Sequence, residues 1–263
     1  MGHMKQYIDK FCKICYYKFT PGLLGESIVD NIKTLKFNIV DSTNSVAMQR
    51  KEKSHLLTVI ADAQTNGRGR MGRGFYSYNG GLYMSVILDP EYVKIPLHII
   101  TPAAALAVRN TLVEYGVKGA KIKWVNDIYL ENKKICGILT EAKTEDNKIE
   151  RIVVGIGINL FFENAEFPDY LKEKADFVKV VADKDTVAKT VVKKLGNYLN
   201  KTQKVIADEY GKDLLYIGES VEVSDYSENK KISAKVLGIN EDCFLKIELA
   251  DGTTKLLSSG EII

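Results

Sequence analysis

Apolar and polar positions follow one rhythm up to Gly211 and another beyond it. In the first part, compact apolar runs are separated by stretches with apolar residues three and four apart. Leu35–Val40 predicts a strand, Leu56–Ala61 is an apolar, β-branched run that predicts a buried strand, and Leu82–Leu88 is another apolar strand. Asp41-Ser42-Thr43-Asn44 offers several N-caps, and the polar run to Lys53 predicts a helix. Pro96 to Tyr115 is Ala-rich, with Ile100, Ala104, Ala107, Val108 and Leu112 at helical spacing. Lys121–Trp124, Ile128–Leu130, Ile135–Ala142 and Ile149–Asn159 then predict four strands, with turn chemistry at Asn132-Lys133 and Asp146-Asn147. Asp185 to Tyr210 predicts a second long helix, with Val187, Val191, Leu195 and Tyr198 on one face. Residues 5–36 carry helical signals broken at Pro21-Gly22, and predict a helical segment packed on the main domain.

After Gly211 the helical spacing stops. Val221-Glu222-Val223, Ile232–Leu237, Phe244–Leu249 and Thr254–Leu257 alternate, and Asp251-Gly252 is a hairpin signal. This predicts a small all-β barrel of about 50 residues. The organisation expected is therefore an N-terminal segment over residues 1–36, a main domain over 37–212 and a small domain over 213–263.

Composition changes little in this picture. The 263 residues are 45% hydrophobic and 27% charged, an ordinary globular balance. With 37 basic and 34 acidic residues the net charge is +3, which gives no bulk electrostatic case for a nucleic-acid partner. No apolar run reaches the roughly 18 residues of a membrane helix, and no signal-peptide pattern opens the chain, so a cytoplasmic enzyme is expected. Met1-Gly2-His3-Met4 reads as an added leader before a native start at Met4, which removes His3 from any metal argument. Cys12-Lys13-Ile14-Cys15 lacks the second pair of ligands that a zinc site needs, and reads as two ordinary thiols in a helix; no protein-bound metal is expected. Cys136 and Cys243 sit in apolar runs and read as small core residues.

The candidate chemistry begins at Gly67-Arg68-Gly69-Arg70-Met71-Gly72, a literal G-x-G-x-x-G. A dinucleotide fingerprint would open a helix after a strand, whereas this tract runs through Phe75-Tyr76-Ser77-Tyr78 into another strand, so that reading fails on context. What remains is a backbone that can approach a ligand closely, carrying Arg68, Arg70 and Arg73, whose guanidinium groups match carboxylate and phosphate oxygens. A solvated basic turn would look the same in isolation. Three further groupings are equally ambiguous alone. Lys123-Trp124-Val125-Asn126-Asp127 sits at a strand end, Lys134 precedes the apolar run Ile135–Leu139, and Gly155-Ile156-Gly157-Ile158-Asn159 places two glycines in a buried strand.

In this order, together with Ser42-Thr43-Asn44 and Gln64, these motifs resemble the biotin–protein ligase family from about Phe37 to the C-terminus. The resemblance implies an α+β fold, a mixed sheet with helices akin to class II synthetases and lipoate ligases, followed by a small SH3-like barrel. It implies an enzyme that joins biotin to ATP, with Mg²⁺, as biotinyl-5′-AMP, and transfers biotin to a lysine of a biotin carboxyl carrier protein. Ser42, Thr43, Asn44 and Gln64 would hold the ureido ring, with Gly67, Arg68, Gly69, Arg70, Lys134, Gly137 and Gly157 completing the biotin pocket. Arg70, Arg73, Phe75, Trp124, Asn126, Lys134 and Asn159 would meet the nucleotide, and Asp127 would position the acceptor. Lys134, Arg70 and Arg68 would carry the catalysis. Met71, Phe75 and Val125 depart from the family's commoner Arg, Trp and Pro. The resemblance also implies a homodimer through paired sheet edges. Two alternatives stand beside it: a lipoate or octanoate ligase with an apolar slot, and a repressor, for which the stretch before Phe37 is short.

Overall fold

The structure, a computed structural model, describes residues 23–29, 32–78, 80–161 and 166–263. β1 (Leu23–Val29) and β2 (Ile32–Val40) form an antiparallel pair, which corrects the helical expectation for residues 5–36 over its described part. Thr34-Leu35-Lys36-Phe37 is pinned along β3, Ile32 and Lys33 pair with β1, and sheet pairing overrides the weak helical signals. Cys12 and Cys15 lie outside the described residues. α1 (Thr43–Gln49) stops short of Lys53, because Arg50 is already extended. β3 (Leu57–Gln64), β4 (Leu82–Leu88), α2 (Ile100–Glu114), β5 (Lys121–Lys123), β6 (Asp127–Leu130), β7 (Lys133–Glu145) and β8 (Lys148–Ile158) run close to expectation. The two hairpin turns have left-handed central pairs, Glu131 and Asn132, then Asp146 and Asn147; the first sits one residue earlier than expected.

Beyond a short helix α3 (Asp169–Lys172), the long helix expected from Asp185 to Tyr210 is two: α4 (Lys184–Tyr198) and α5 (Gln203–Lys212). Thr202 breaks it, because its hydroxyl accepts from the Val205 N–H and caps a new helix.

The strands β1 to β8 form one sheet in the order β1-β2-β3-β4-β8-β7-β6-β5, with β2 and β3 parallel and the other neighbours antiparallel. Period-two alternation divides its two faces. Leu82, Met84, Val86 and Leu88 of β4, and Ile152, Val154, Ile156 and Ile158 of β8, join the main core with residues of α2 and α4. The opposite face carries Ile87 and Val153 into a smaller core with Phe37, Val59 and Ala47 of α1. Along that second face the alternation continues through Tyr83 and Ser85, Gly155 and Gly157, and Gly137, Leu139 and Glu141. A sheet face that is apolar at one end and becomes glycine-rich and polar at the other is the platform for a site.

The C-terminal unit adds β9 (Ser220–Asp225), β10 (Lys230–Ile239), β11 (Leu245–Glu248), β12 (Thr254–Leu257) and β13 (Gly260–Ile262), all antiparallel, in the order β12-β11-β10-β9-β13. The sequence rhythm missed β13, which is only three residues long. Trp124 ties this unit to the main sheet: it is buried, and its indole N–H donates to the Cys243 carbonyl at 2.9 Å.

Candidate active site

The cleft lies on the second sheet face, between α1, the ends of β7 and β8, and the loop that carries the arginines. Its floor is made of glycine because bulk is excluded there. Gly137 and Gly157 are direct cross-strand partners, and Phe75 lies over both. A Cβ on Gly157 would stand 2.5 Å from the Phe75 ring, and one on Gly137 2.9 Å. Gly155 in the next row is covered by the Asn44 amide, which a Cβ would strike. These strands therefore specify absence of side chains where the loop and α1 descend onto the sheet.

At the α1 end the wall is polar and almost fully hydrogen-bonded. Gln64 Oε1 accepts from the Thr43 backbone N–H at 2.8 Å and from the Thr43 hydroxyl at 3.1 Å, while its Nε2 donates to Ser77 Oγ at 2.8 Å. The Asn44 amide is held on both sides: its Oδ1 accepts from Ser85 Oγ at 2.6 Å and its Nδ2 donates to Glu141 at 2.7 Å. Ser42, Thr43 and Asn44 are each buried. α1 itself is fixed from behind by Arg151, whose buried guanidinium donates to the carbonyls of Met48 at 3.3 Å, Arg50, and Glu52 at 3.2 Å.

The opposite end is cationic. Lys134 pairs with Asp127 at 2.8 Å and lies 5.7 Å from the Phe75 ring centre. Arg68 pairs with Glu141 at 2.8 Å. Arg70 donates to Asn126 Oδ1 and to the Gly260 carbonyl, both at 3.2 Å, and its guanidinium sits 5.7 Å from the Tyr226 ring. Arg73 forms a two-pronged pair with Glu261. That hydrogen bond raises the Arg73 pKa. Burial works to raise the Glu261 carboxyl, but the hydrogen bond and charge of Arg73 outweigh it and hold the group below the usual carboxylate range. β13 of the C-terminal unit thus braces two arginines of the cleft.

Of the sequence-predicted residues, Ser42, Thr43, Asn44, Gln64, Arg68, Gly69, Arg70, Arg73, Phe75, Asn126, Asp127, Lys134, Gly137 and Gly157 line this one cleft. Three do not. Gly67 sits beneath the loop, where its carbonyl accepts from the Phe75 N–H at 2.8 Å and a Cβ would strike Ser77. Trp124 is turned into the junction with the C-terminal unit. Asn159 is buried behind Lys134, donating to that residue's carbonyl at 3.3 Å, with its Oδ1 left unpaired. Phe75, expected beside the nucleotide, lies on the glycines expected to meet biotin. Sequence reasoning missed Gly74, Ser77, Ser85, Glu141 and Glu261, and marked Gly155 only as a glycine in a buried strand. Gly155 and Glu141 had a readable signal, since alternation puts them on the same faces as Gly157 and Gly137. Glu261 and Ser85 had none, because their partners are far away in the chain. Among the described residues, no group of three His, Cys, Asp or Glu side chains converges on a point that could hold a metal ion.

An acid-sized polar pocket joined to a cationic shelf is the arrangement of a carboxylate-activating ligase, and the comparisons agree. Residues 37–159 match the model of the Biotin/lipoate A/B protein ligase family, and residues 216–263 match that of the Biotin protein ligase C terminal domain. The chain is 31% identical over 258 residues to the bifunctional ligase/repressor BirA of Bacillus subtilis, covering 91% of this chain and 79% of that protein. It is 33% identical over 123 residues to the biotin–[acetyl-CoA-carboxylase] ligase of Paracoccus denitrificans, covering 46% of this chain and 51% of that protein. It superposes on the biotin protein ligase of Aquifex aeolicus in complex with biotin and ATP with a TM-score of 0.75 at 30% identity, covering 88% of this chain and 97% of that one. The chain belongs to the biotin protein ligase family.

Proposed function

We propose that this enzyme makes biotinyl-5′-AMP from biotin and MgATP and passes biotin to a lysine of a biotin carboxyl carrier protein or domain. The observation that carries the reading is the convergence of two unlike walls on one glycine floor: hydrogen-bonding groups of Thr43, Asn44 and Gln64, and cations of Arg68, Arg70, Arg73 and Lys134. A ureido ring needs donors and acceptors at fixed positions, and the Thr43–Gln64–Ser77 chain offers them prearranged. A lipoyl or octanoyl tail needs an apolar slot, which this wall does not resemble.

In the first step a biotin carboxylate oxygen attacks the α-phosphorus of ATP, and the bond to the leaving pyrophosphate breaks. Negative charge gathers on the phosphoryl oxygens, where Lys134 and Arg70 are placed to stabilise it without reorganisation. Arg68 covers the biotin carboxylate. Mg²⁺ arrives on the nucleotide phosphates as part of the substrate. In the second step a lysine amine attacks the acyl carbon, loses its proton, and AMP leaves. Asp127, beside Lys134, orients that amine. The anhydride hydrolyses in water, so the loop Gly67–Gly80 must cover it. A cytoplasmic location suits a consumer of ATP, and among the described residues no helix is long and apolar enough to cross a membrane.

The experiment is ATP–pyrophosphate exchange with biotin, lipoate or octanoate as the single acid. Exchange with biotin alone is expected; exchange with lipoate and not biotin would reject the reading.

A further inference from the structure

Glu141 has no part in either step of the proposed reaction, yet it stands where the two walls of the cleft meet. Its Oε2 accepts two hydrogen bonds: one from Asn44 Nδ2 at 2.7 Å and one from Arg68 Nη2 at 2.8 Å. Asn44 belongs to α1 and the polar pocket; Arg68 belongs to the glycine–arginine loop. Asn44 is buried, lies flat on Gly155, and is held at its other end by Ser85. A flipped Asn44 amide would turn its oxygen against the Glu141 carboxylate, so Glu141 sets which way that amide presents itself. Arg68 is the more exposed partner, on a loop rich in glycine. One guanidinium N–H is spent on Glu141, which leaves others directed at a ligand carboxylate or phosphate.

The geometry points to Glu141 as a positioning residue that couples the acid pocket to the loop. One carboxylate oxygen shared by two donors makes the seating of Arg68 depend on the Asn44 amide, and the reverse, because each charge-assisted bond is strengthened by good placement of the oxygen. Filling the polar pocket braces Asn44 and Glu141, and Glu141 then presents a fixed anchor to the arginine that covers the acid.

This inference rests on biotin as the acid in its kinetic arm and on no ligand in its structural arm. Glu141→Gln keeps size and an acceptor for Asn44 but removes the charge that holds Arg68. In the ligand-free protein, amide hydrogen exchange over Gly67–Gly74 is expected to rise roughly tenfold in this variant, the effect of losing one charge-assisted hydrogen bond. In pyrophosphate exchange the KM for biotin rises roughly tenfold while kcat at saturating biotin stays within about twofold. Arg68→Gln, a change on a part-exposed loop residue, must give the same rise in loop exchange, and combining the two must add nothing. Loop exchange unchanged in Glu141→Gln, or a fall in kcat with KM unmoved, overturns the coupling. If the unaltered protein uses lipoate and not biotin, the proposed substrate falls and the hydrogen-exchange arm still decides the role of Glu141.

Discussion

Arg73 in the glycine–arginine loop and Glu261 in the last strand form a two-pronged ion pair, Nη1 to Oε1 at 3.1 Å and Nη2 to Oε2 at 2.5 Å. They lie in different sheets' territory, and with Arg70 on the Gly260 carbonyl they tie the loop to β13. Both side chains are partly exposed, so the pair contributes less than about 1 kcal/mol to folding. Its effect falls on loop placement. Glu261→Ala is expected to leave the melting temperature nearly unchanged and to raise the KM for MgATP several-fold. An unchanged KM would remove β13 from the nucleotide site.

Lys134 is the ammonium nearest the floor glycines, with its stem against Gly137 and its head on Asp127. Lys134→Ala is expected to slow adenylate formation by on the order of a hundredfold or more, the usual loss for one preorganised donor to developing charge. Single-turnover formation of the adenylate measures this directly. A drop below about threefold would assign the charge stabilisation elsewhere.

Trp124 is expected to act on stability through its junction bond. Trp124→Phe removes the indole N–H and leaves the buried Cys243 carbonyl without that donor, which costs about 1–3 kcal/mol. Urea unfolding should show this loss while the KM for MgATP stays put. The opposite pattern, a raised KM with unchanged stability, would return Trp124 to the nucleotide site.

Gly157→Ala places a methyl group where Phe75 now lies. The ring must leave the floor or the strand must shift, and a well-packed site yields to neither cheaply. Biotin binding by calorimetry is expected to weaken by roughly tenfold or more, an overpacking cost of about 1–3 kcal/mol. Adding Phe75→Ala should recover part of that loss; no recovery would mean that the methyl group obstructs the ligand itself.

Acid stability depends on Asp225. Its side chain is buried, paired with Lys255 at 2.8 Å, and accepts from Ser227 N at 2.9 Å and Ser227 Oγ at 2.6 Å. Burial alone would raise its pKa, but Lys255 and Ser227 outweigh that and lower it from 3.8 to about 2. A folded pKa below the unfolded one gives stability that is present above the unfolded value and disappears as pH falls through the folded one, between about 4 and about 2 here. The shift corresponds to about 2 kcal/mol. Asp225→Asn should be less stable by that amount at neutral pH, with the gap to the unaltered protein closing on acidification. A gap independent of pH would assign the loss to packing.

The strands and helices were legible where the signal is local. Leu82–Leu88 is an apolar run of strand length, and Asp146-Asn147 favours a left-handed turn. The helix expected to run from Asp185 to Tyr210 failed at Thr202, where a side-chain cap competes with helix continuation. The stretch before Phe37 failed because β1 is paired by β2 and Thr34 to Phe37 are pinned along β3, a partner more than twenty positions away.

The residue types, by themselves, determined the chemistry of the cleft. Arginines on glycine, a lysine before a buried strand and a polar helix start can neutralise and orient an acid and a phosphate wherever they meet. The tertiary structure alone decided that they meet, and with whom. Alternation separates two faces of a strand but does not say which face a helix covers; the order β4-β8-β7 put Ser85, Gly155 and Glu141 under Asn44. Packing turned Trp124 and Asn159 away from the cleft that their motifs predict they line, and brought Glu261 onto Arg73 from the far end of the chain. Those contacts depend on where distant segments come to rest, and no spacing within a segment encodes that.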